Sequence, residues 1–241
     1  MSGHSHFKTI KYKKEASDKK RGKAFSKMAR LISIAVKELG PDPEANSKLR
    51  LAVETARSFN MPKENIERAI KKGSGEAGEE HLEEVIYEAF GPGGVALIIE
   101  GITDNKNRTL GEIKQILSQN GGKLAQEGSV KWLFERRGVI TISSEQQSLS
   151  REDLELKAIE AEAENIYWHD FLLDVYTKPE DLEKVKKSVE NQGIKIETAS
   201  LDLVAKDMIA VSEEDKKACE ALFESLDEND AVQEIYSNLK E

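Results

Sequence analysis

Leu82-Glu83-Glu84-Val85-Ile86-Tyr87-Glu88-Ala89-Phe90-Gly91-Pro92-Gly93-Gly94-Val95-Ala96-Leu97-Ile98-Ile99-Glu100-Gly101-Ile102-Thr103 is where the hydrophobic period of the chain changes from helical to strand-like. Leu82 to Phe90 and Val95 to Thr103 are predicted to pair as strands around Gly91-Pro92-Gly93-Gly94, a turn that admits positive φ at several positions. The lysine and hydroxyl of a Walker loop are missing from that turn, so it reads as a hairpin and not as a phosphate cradle.

Residues 1 to 14 lack a sustained helical period and are expected to form a mobile arm, and the segments between this arm and Gly73 are helical. Phe25, Met28, Ala29, Ile32, Ala35 and Leu39 recur at spacings of three and four, after an Asp18 that can cap a helix. Gly40-Pro41-Asp42-Pro43 ends this helix, and a second is predicted from Ala45 to Phe59. Pro62 suits the first turn of a third, Lys63 to Lys72, with Gly73 as its left-handed stop. These three make a small helical domain, residues 1–75 with a basic arm in front, and the patternless stretch Gly73 to Gly78 reads as a hinge.

Downstream, a helix is predicted from Asn107 or Thr109 to Gly121-Gly122, then a strand with Val130, Trp132 and Phe134 on one face. After Arg137-Gly138, Val139 to Ile142 reads as a further strand, and Phe171 to Tyr176 and Ile194 to Val204 as two more. Ser150 with Asp153, and Thr177 with Glu180, are capping-box signals for the helices between them. This order suggests a ferredoxin-like α/β sandwich over residues 136–205. A helix capped by Ser212 and a last strand near Val232 to Tyr236 complete the chain. That strand's expected partner is the sheet begun at Leu82, which makes a discontinuous α/β domain of residues 80–135 and 206–241. The fold class is therefore α+β and multidomain.

Charge is distributed as unevenly as structure. The whole chain has 36 Lys and Arg against 45 Asp and Glu, a net charge of −9. Residues 1 to 37 hold eleven basic residues against Glu15 and Asp18, which is +9, leaving −18 for the other 204 residues. A basic arm on an acidic body is suited to a polyanion. The candidates for phosphate contact are Lys8, Lys11, Lys13, Lys14, Lys19, Lys20, Arg21, Lys23, Lys27 and Arg30. Phe7, Ile10 and Tyr12 are interleaved with them, and Phe7 and Tyr12 are placed to stack on bases. A solvated helix face is the alternative for the same charges.

Other candidates are weaker. Asp104, Asn105, Lys106, Asn107 and Arg108 lie between a strand and a helix N-terminus, where free N–H groups favour an anion; capping of that helix by Asn107 or Thr109 explains the same residues. His4 and His6 supply at most half a metal site, so no metal or cofactor is expected. Trp168-His169-Asp170 has no serine or cysteine partner and is not read as a triad. The single cysteine, Cys219, sits at helical spacing among Ala218, Leu222 and Phe223 and is expected to be core packing. No apolar run is long enough to span a bilayer and the N-terminus lacks a signal-peptide core, so a cytoplasmic protein without a membrane partner is expected.

Several long stretches resemble the YebC-type family, which comprises bacterial transcriptional regulators and the mitochondrial translational activators of cytochrome oxidase. They are Gly3-His4-Ser5, Lys20-Arg21-Gly22-Lys23, Asn60 to Gly73, Gly91 to Ala96, Thr103 to Thr109, Asn120-Gly121-Gly122 and Leu133-Phe134-Glu135-Arg136. The resemblance covers essentially the whole chain. It implies an N-terminal helical domain, a discontinuous α/β domain and an inserted ferredoxin-like domain around a central cleft. Phe7 stands where the family usually has Trp, and Tyr12 where it has His.

The reading that follows is a non-enzymatic regulator of gene expression that binds DNA along its backbone, with little base reading of its own. The alternative gives the same basic patch to ribosomal or transfer RNA, making the chain a ribosome-associated translation factor that relieves stalled elongation. A third reading, a cleft enzyme or small-ligand sensor using Asp104, Asn105 and Arg108, lacks a convergent nucleophile and base.

Overall fold

The computed structural model describes residues 18–75 and 81–240, with side chains from residue 22 onward. Phe7, Lys8, Lys11, Tyr12, Lys13 and Lys14, the side chains of Lys19, Lys20 and Arg21, the capping role of Asp18, and the hinge beyond Gly75 lie outside the described residues.

The apolar stripe of the first segment winds into α1 (Asp18–Leu39). Its Met28, Ile32, Ala35 and Val36 share one core with Leu49, Val53 and Ala56 of α2 (Ser47–Ser58) and Ile66 and Ala69 of α3 (Lys63–Gly73). Asn46 fastens the first two helices together. Fully buried, its side-chain oxygen accepts the Leu49 N–H at 2.9 Å, while its amide donates to the Ala35 and Gly40 carbonyls at 2.8 Å each. Asn46 thus caps α2 and satisfies two carbonyls at the end of α1. Asn46→Ala is expected to cost about 2 kcal/mol, since one cap, the buried Ala35 carbonyl and the part-buried Gly40 carbonyl lose the Asn46 side chain. A lower urea midpoint with an unchanged slope is the measurement that shows it.

Gly73 does not act as a left-handed stop. It is the last residue of α3, and the left-handed residue is Gly75, at φ 83°. Gly73 is needed for contact: a Cβ there would lie 2.5 Å from the Ser33 carbonyl oxygen, where α3 crosses α1.

The hairpin forms as predicted from β1 (Glu83–Phe90) and β2 (Ala96–Thr103), with Tyr87 opposite Ile99 and Phe90 opposite Ala96. The sheet is completed by β3 (Lys123–Leu124) and by the C-terminal β8 (Val232–Ser237), in the antiparallel order β3-β1-β2-β8. Between them, α4 (Lys106–Gln119) buries Thr109, Ile113 and Leu117, and α7 (Glu213–Asp227) buries Cys219, Leu222, Phe223 and Leu226. Ser212 caps α7 by accepting the Asp215 N–H. Burial pushes the Cys219 thiol up to about 11, with Asp215 and Glu220 adding to the shift, so it packs as a thiol. Leu31 and Ile34 of α1 pack on Leu82 and Ile102, and the Lys37 ammonium donates to the Leu82 carbonyl at 3.0 Å. Helices and sheet accordingly belong to one compact unit, running to Trp132 and resuming at Ile209–Leu239.

The other unit, Leu133–Met208, is ferredoxin-like. Its elements are β4 (Phe134–Ser143), α5 (Arg151–Glu160), β5 (Asn165–His169), β6 (Leu172–Thr177), α6 (Leu182–Asn191) and β7 (Thr198–Ala205), a βαββαβ sequence with antiparallel sheet order β5-β6-β4-β7. Ser150 and Asp153 form the reciprocal capping box that their spacing predicts.

Four local expectations change. Phe134 and Val139 belong to one strand, because Gly138 continues the β-ladder opposite Thr177 and Leu201. Val130 and Trp132 precede that strand, Val130 buried and Trp132 65% exposed. Thr177 ends β6 and caps nothing; a 3-10 turn over Pro179–Asp181 leads into α6. β7 starts at Thr198, four residues after Ile194. Among the described residues, no helix is long and apolar enough to cross a membrane.

Candidate functional site

Three of the cations predicted to meet phosphate, Lys23, Lys27 and Arg30, recur every three or four residues and so share one face of α1. The structure employs that face differently. Lys23 pairs with the Glu228 carboxylate and donates to the Glu228 carbonyl at 3.0 Å. Lys27, only 4% exposed, lies 2.6 Å from Asp227 Oδ1 and 2.9 Å from the Asp227 carbonyl. The Arg30 guanidinium donates to the Asp230 carbonyl at 2.5 Å and the Ile102 carbonyl at 3.3 Å. All three are directed at the C-terminal end of α7, where unpaired carbonyls and the helix dipole favour cations and three acidic side chains add to the attraction. These cations dock the helical part on the sheet. Lys23, Lys27 and the Asp230 contact of Arg30 thus reach partners about 200 residues away, which no sequence window contains. Lys8, Lys11, Lys13, Lys14, Lys19, Lys20 and Arg21 remain as the basic set, N-terminal to this face.

The loop before α4 is a self-contained cap. Asn105, and neither Asn107 nor Thr109, is the N-cap: its side-chain oxygen accepts the Arg108 N–H at 3.0 Å. The Asn105 N–H donates to the Thr103 hydroxyl oxygen at 2.9 Å, and that hydroxyl meets the Thr109 hydroxyl at 2.8 Å. Asn107 is an exposed residue of the first turn. The two cations expected to attract an anion each face a carboxylate. Arg108 lies 2.5 Å from Asp104 and 3.8 Å from Glu112, and Lys106 lies 2.8 Å from Glu83. Asp104 is held below the usual carboxylate range by its own backbone N–H first, against a desolvation that opposes it, with Arg108 and Arg30 adding. Glu112 in turn accepts from the Asn229 amide at 2.8 Å, which ties this loop to the segment that receives Arg30.

In the ferredoxin-like unit, His169 and Asp174 are brought together by the register of β5 on β6. His169 Nε2 lies 3.2 Å from Asp174 Oδ2, and Asp174 Oδ1 accepts the Thr141 hydroxyl at 2.9 Å. All three are buried. The hydroxyl donates to the carboxylate and not to the imidazole, so this set is a cross-strand polar network without a nucleophile–base pair.

Two features escaped the sequence reading. Glu88 is 6% exposed, although it sits in a strand of mixed polarity. Its Oε1 accepts the Gly128 N–H at 2.6 Å, and its Oε2 accepts the N–H groups of Val130 and Lys131 at 2.5 and 2.9 Å. Burial pushes the pKa of this carboxyl up, but the three N–H donors and Lys131 outweigh it and hold Glu88 below the usual range. The second is a pocket of about 480 Å³ where the turn after β1 meets the turn after α4. Nothing in the local pattern of Glu88 announced its donors; the recurrence of glycine at residues 91–94 and 121–122 was the available signal for the pocket.

Comparison with known proteins covers both units. Residues 5–76 match the model described as TACO1/YebC protein N-terminal domain, and residues 82–239 the model described as TACO1/YebC second and third domain. The chain is 47% identical, over 100% of its own length and 98% of the other, to a protein of Caldanaerobacter subterraneus subsp. tengcongensis named as a probable transcriptional regulatory protein. A protein of Halothermothrix orenii with the same descriptive name is 45% identical over 99% of this chain and 94% of its own. The crystal structure of a conserved hypothetical protein from Aquifex aeolicus superposes with a TM-score of 0.88 at 42% identity, covering 95% of this chain and 93% of that one.

Proposed function

Because this chain belongs to the TACO1/YebC family, we propose that it is a non-enzymatic, DNA-binding regulator of transcription that grips the phosphate backbone through its basic N-terminal segment. The observation that carries this reading is charge segregation. With Lys23, Lys27 and Arg30 engaged by the chain itself, seven cations still fall between Lys8 and Arg21, against Glu15 and Asp18. Such a segment gains affinity from counterion release at each phosphate it neutralises. Backbone contacts fix register without reading sequence, so intrinsic specificity is modest.

Interleaving of Phe7, Ile10 and Tyr12 with those lysines favours a second reading, in which the partner is ribosomal or transfer RNA with unstacked bases, and the protein acts on translation. One experiment serves both. Replacing Lys13, Lys14, Lys20 and Arg21 by Gln is expected to weaken nucleic-acid binding about tenfold at moderate salt and to reduce the log–log salt slope by about 3 to 4. Sedimentation of native lysate through sucrose gradients, with and without ribonuclease, then separates the partners. Co-migration with ribosomal subunits that the four substitutions abolish assigns the RNA reading. Protein that stays at the top and shifts promoter DNA over competitor assigns the DNA reading. An unchanged salt slope after the four substitutions removes the basic segment from either.

A further inference from the structure

The pocket of about 480 Å³ is lined by Phe90, residues 91–94, Gly121, Gly122 and Lys123, all in the sheet-bearing unit. Its volume falls in the range of sites for small organic groups. The walls are nearly free of side chains. The two turns touch, since a Cβ on Gly121 would lie 3.6 Å from Pro92 Cγ, and a Cβ on Gly122 would lie 2.9 Å from the Phe90 carbonyl oxygen. What remains is peptide plane, the Pro92 ring and the half-buried Phe90. Such walls suit a flat ligand better than a branched one.

Two polar facts narrow the ligand. No carboxylate lines the pocket, and Asp215, which packs behind Gly93, accepts the Ser212 hydroxyl at 2.7 Å. Lys123 is exposed and, among the described residues, has no carboxylate partner; its ammonium lies over the Phe90 ring at 5.9 Å from the centroid. An exposed cation–π contact is weak, so the ammonium is displaced from the ring at little cost. An aromatic face beside one available cation is the pairing that single-stranded nucleic acids exploit, base on the ring and phosphate on the cation.

We propose that this pocket takes one unstacked nucleotide of a single-stranded nucleic acid, its base against Phe90 and the glycine turns and its phosphate on Lys123, an inference that rests on the nucleic-acid reading of the chain. A single strand is the expected form of the ligand, because a base in a duplex is held in its stack and would have to leave it to lie against Phe90. The site is distinct from the basic segment and gives the protein a way to tell a single strand from a helix.

The test uses the full chain and short uridine-rich single strands, ribo and deoxy, each with one 5-iodouracil for photocrosslinking, beside the matching duplex. Crosslinks are expected at residues 90–94 or 121–123 with the single strands and not with the duplex. Phe90→Leu and Lys123→Gln, which keep the packing and the exposure at those positions, are expected to lower single-strand affinity about tenfold and leave duplex affinity unchanged. Preference between the two sugars separates RNA from DNA as the source. Binding that persists in both variants, with every crosslink in residues 1–21, overturns the pocket while the basic segment stands. A chain that binds no nucleic acid of any kind overturns both.

Discussion

Glu88→Ala is expected to lower the stability of the sheet-bearing unit by about 3 kcal/mol. One carboxylate accepts three backbone N–H groups from residues 128–131, and bonds to a charged acceptor are stronger than neutral ones. Alanine leaves the buried Val130 N–H without its acceptor, and that desolvation cost adds to the lost bonds. Glu88→Gln is milder, at about 1 to 2 kcal/mol: one amide oxygen can still serve Val130 and Lys131, but the amide NH2 then opposes the Gly128 donor. Urea unfolding with amide exchange at residues 128–131 is the measurement. Exchange there should accelerate in Glu88→Ala beyond the global loss, since this loop is held by the side chain more than by strand pairing. Protection that falls equally everywhere would mean that Glu88 is only one core residue among many.

The same carboxylate gives a pH dependence of known sign. Its folded pKa lies below the unfolded value of about 4.3, so the folded state binds fewer protons in this range. The contribution of Glu88 is therefore complete above the unfolded value and lost as pH falls through the folded one. Glu88→Gln is expected to flatten stability against pH below about 4.5 relative to the native chain.

Legibility in the sequence followed the range of the interactions involved. Ser150 with Asp153 and Ser212 with Asp215 were readable because a cap and its receiver are three residues apart. The β1–β2 hairpin was readable because its turn lies between its strands. β5 was missed because Asn165 to His169 puts Ile166 and Trp168 on one face and Tyr167 and His169 on the other, so no polar alternation marks it; its turn into β6 uses Asp170 at φ 46° in place of a glycine. Thr177 imitates a cap signal because a hydroxyl and an acid at the right spacing say nothing of the strand that ends there.

Function was harder to read than fold for a related reason. Charge in a sequence carries a sign but no partner. Lys23 and Lys27 look like Lys19 and Lys20 until Asp227 and Glu228, at the other end of the chain, are placed beside them. The residues Asp104 to Arg108 were the opposite case: helix capping and an anion site read equally well from them, and the Asp104–Arg108 ion pair was in neither reading. Glu88 carried no signal at all, since its donors are 40 to 43 residues downstream and are backbone groups of an ordinary kind.

Lys27 offers the sharpest separation of a structural cation from a nucleic-acid contact. Its side chain is 5% exposed and that of Asp227 is 22% exposed, so this ion pair is largely removed from water. Lys27→Met is expected to destabilise the chain by about 3 kcal/mol, because the Asp227 carboxylate and carbonyl both lose the Lys27 ammonium. The double change Lys27→Met with Asp227→Leu is expected to recover most of that loss, to within about 1 kcal/mol of the native chain, since apolar isosteres remove both desolvation costs together. The double-mutant cycle therefore reports a coupling of about 2 kcal/mol plus whatever Asp227→Leu costs alone, well above that of an exposed pair. Measured where both proteins are fully folded, the double variant should bind nucleic acid with the native salt slope if the Lys27 ammonium neutralises no phosphate. A slope reduced by about 1 would place Lys27 on the nucleic acid after all, and the Asp227 contact would then be a resting position that binding breaks.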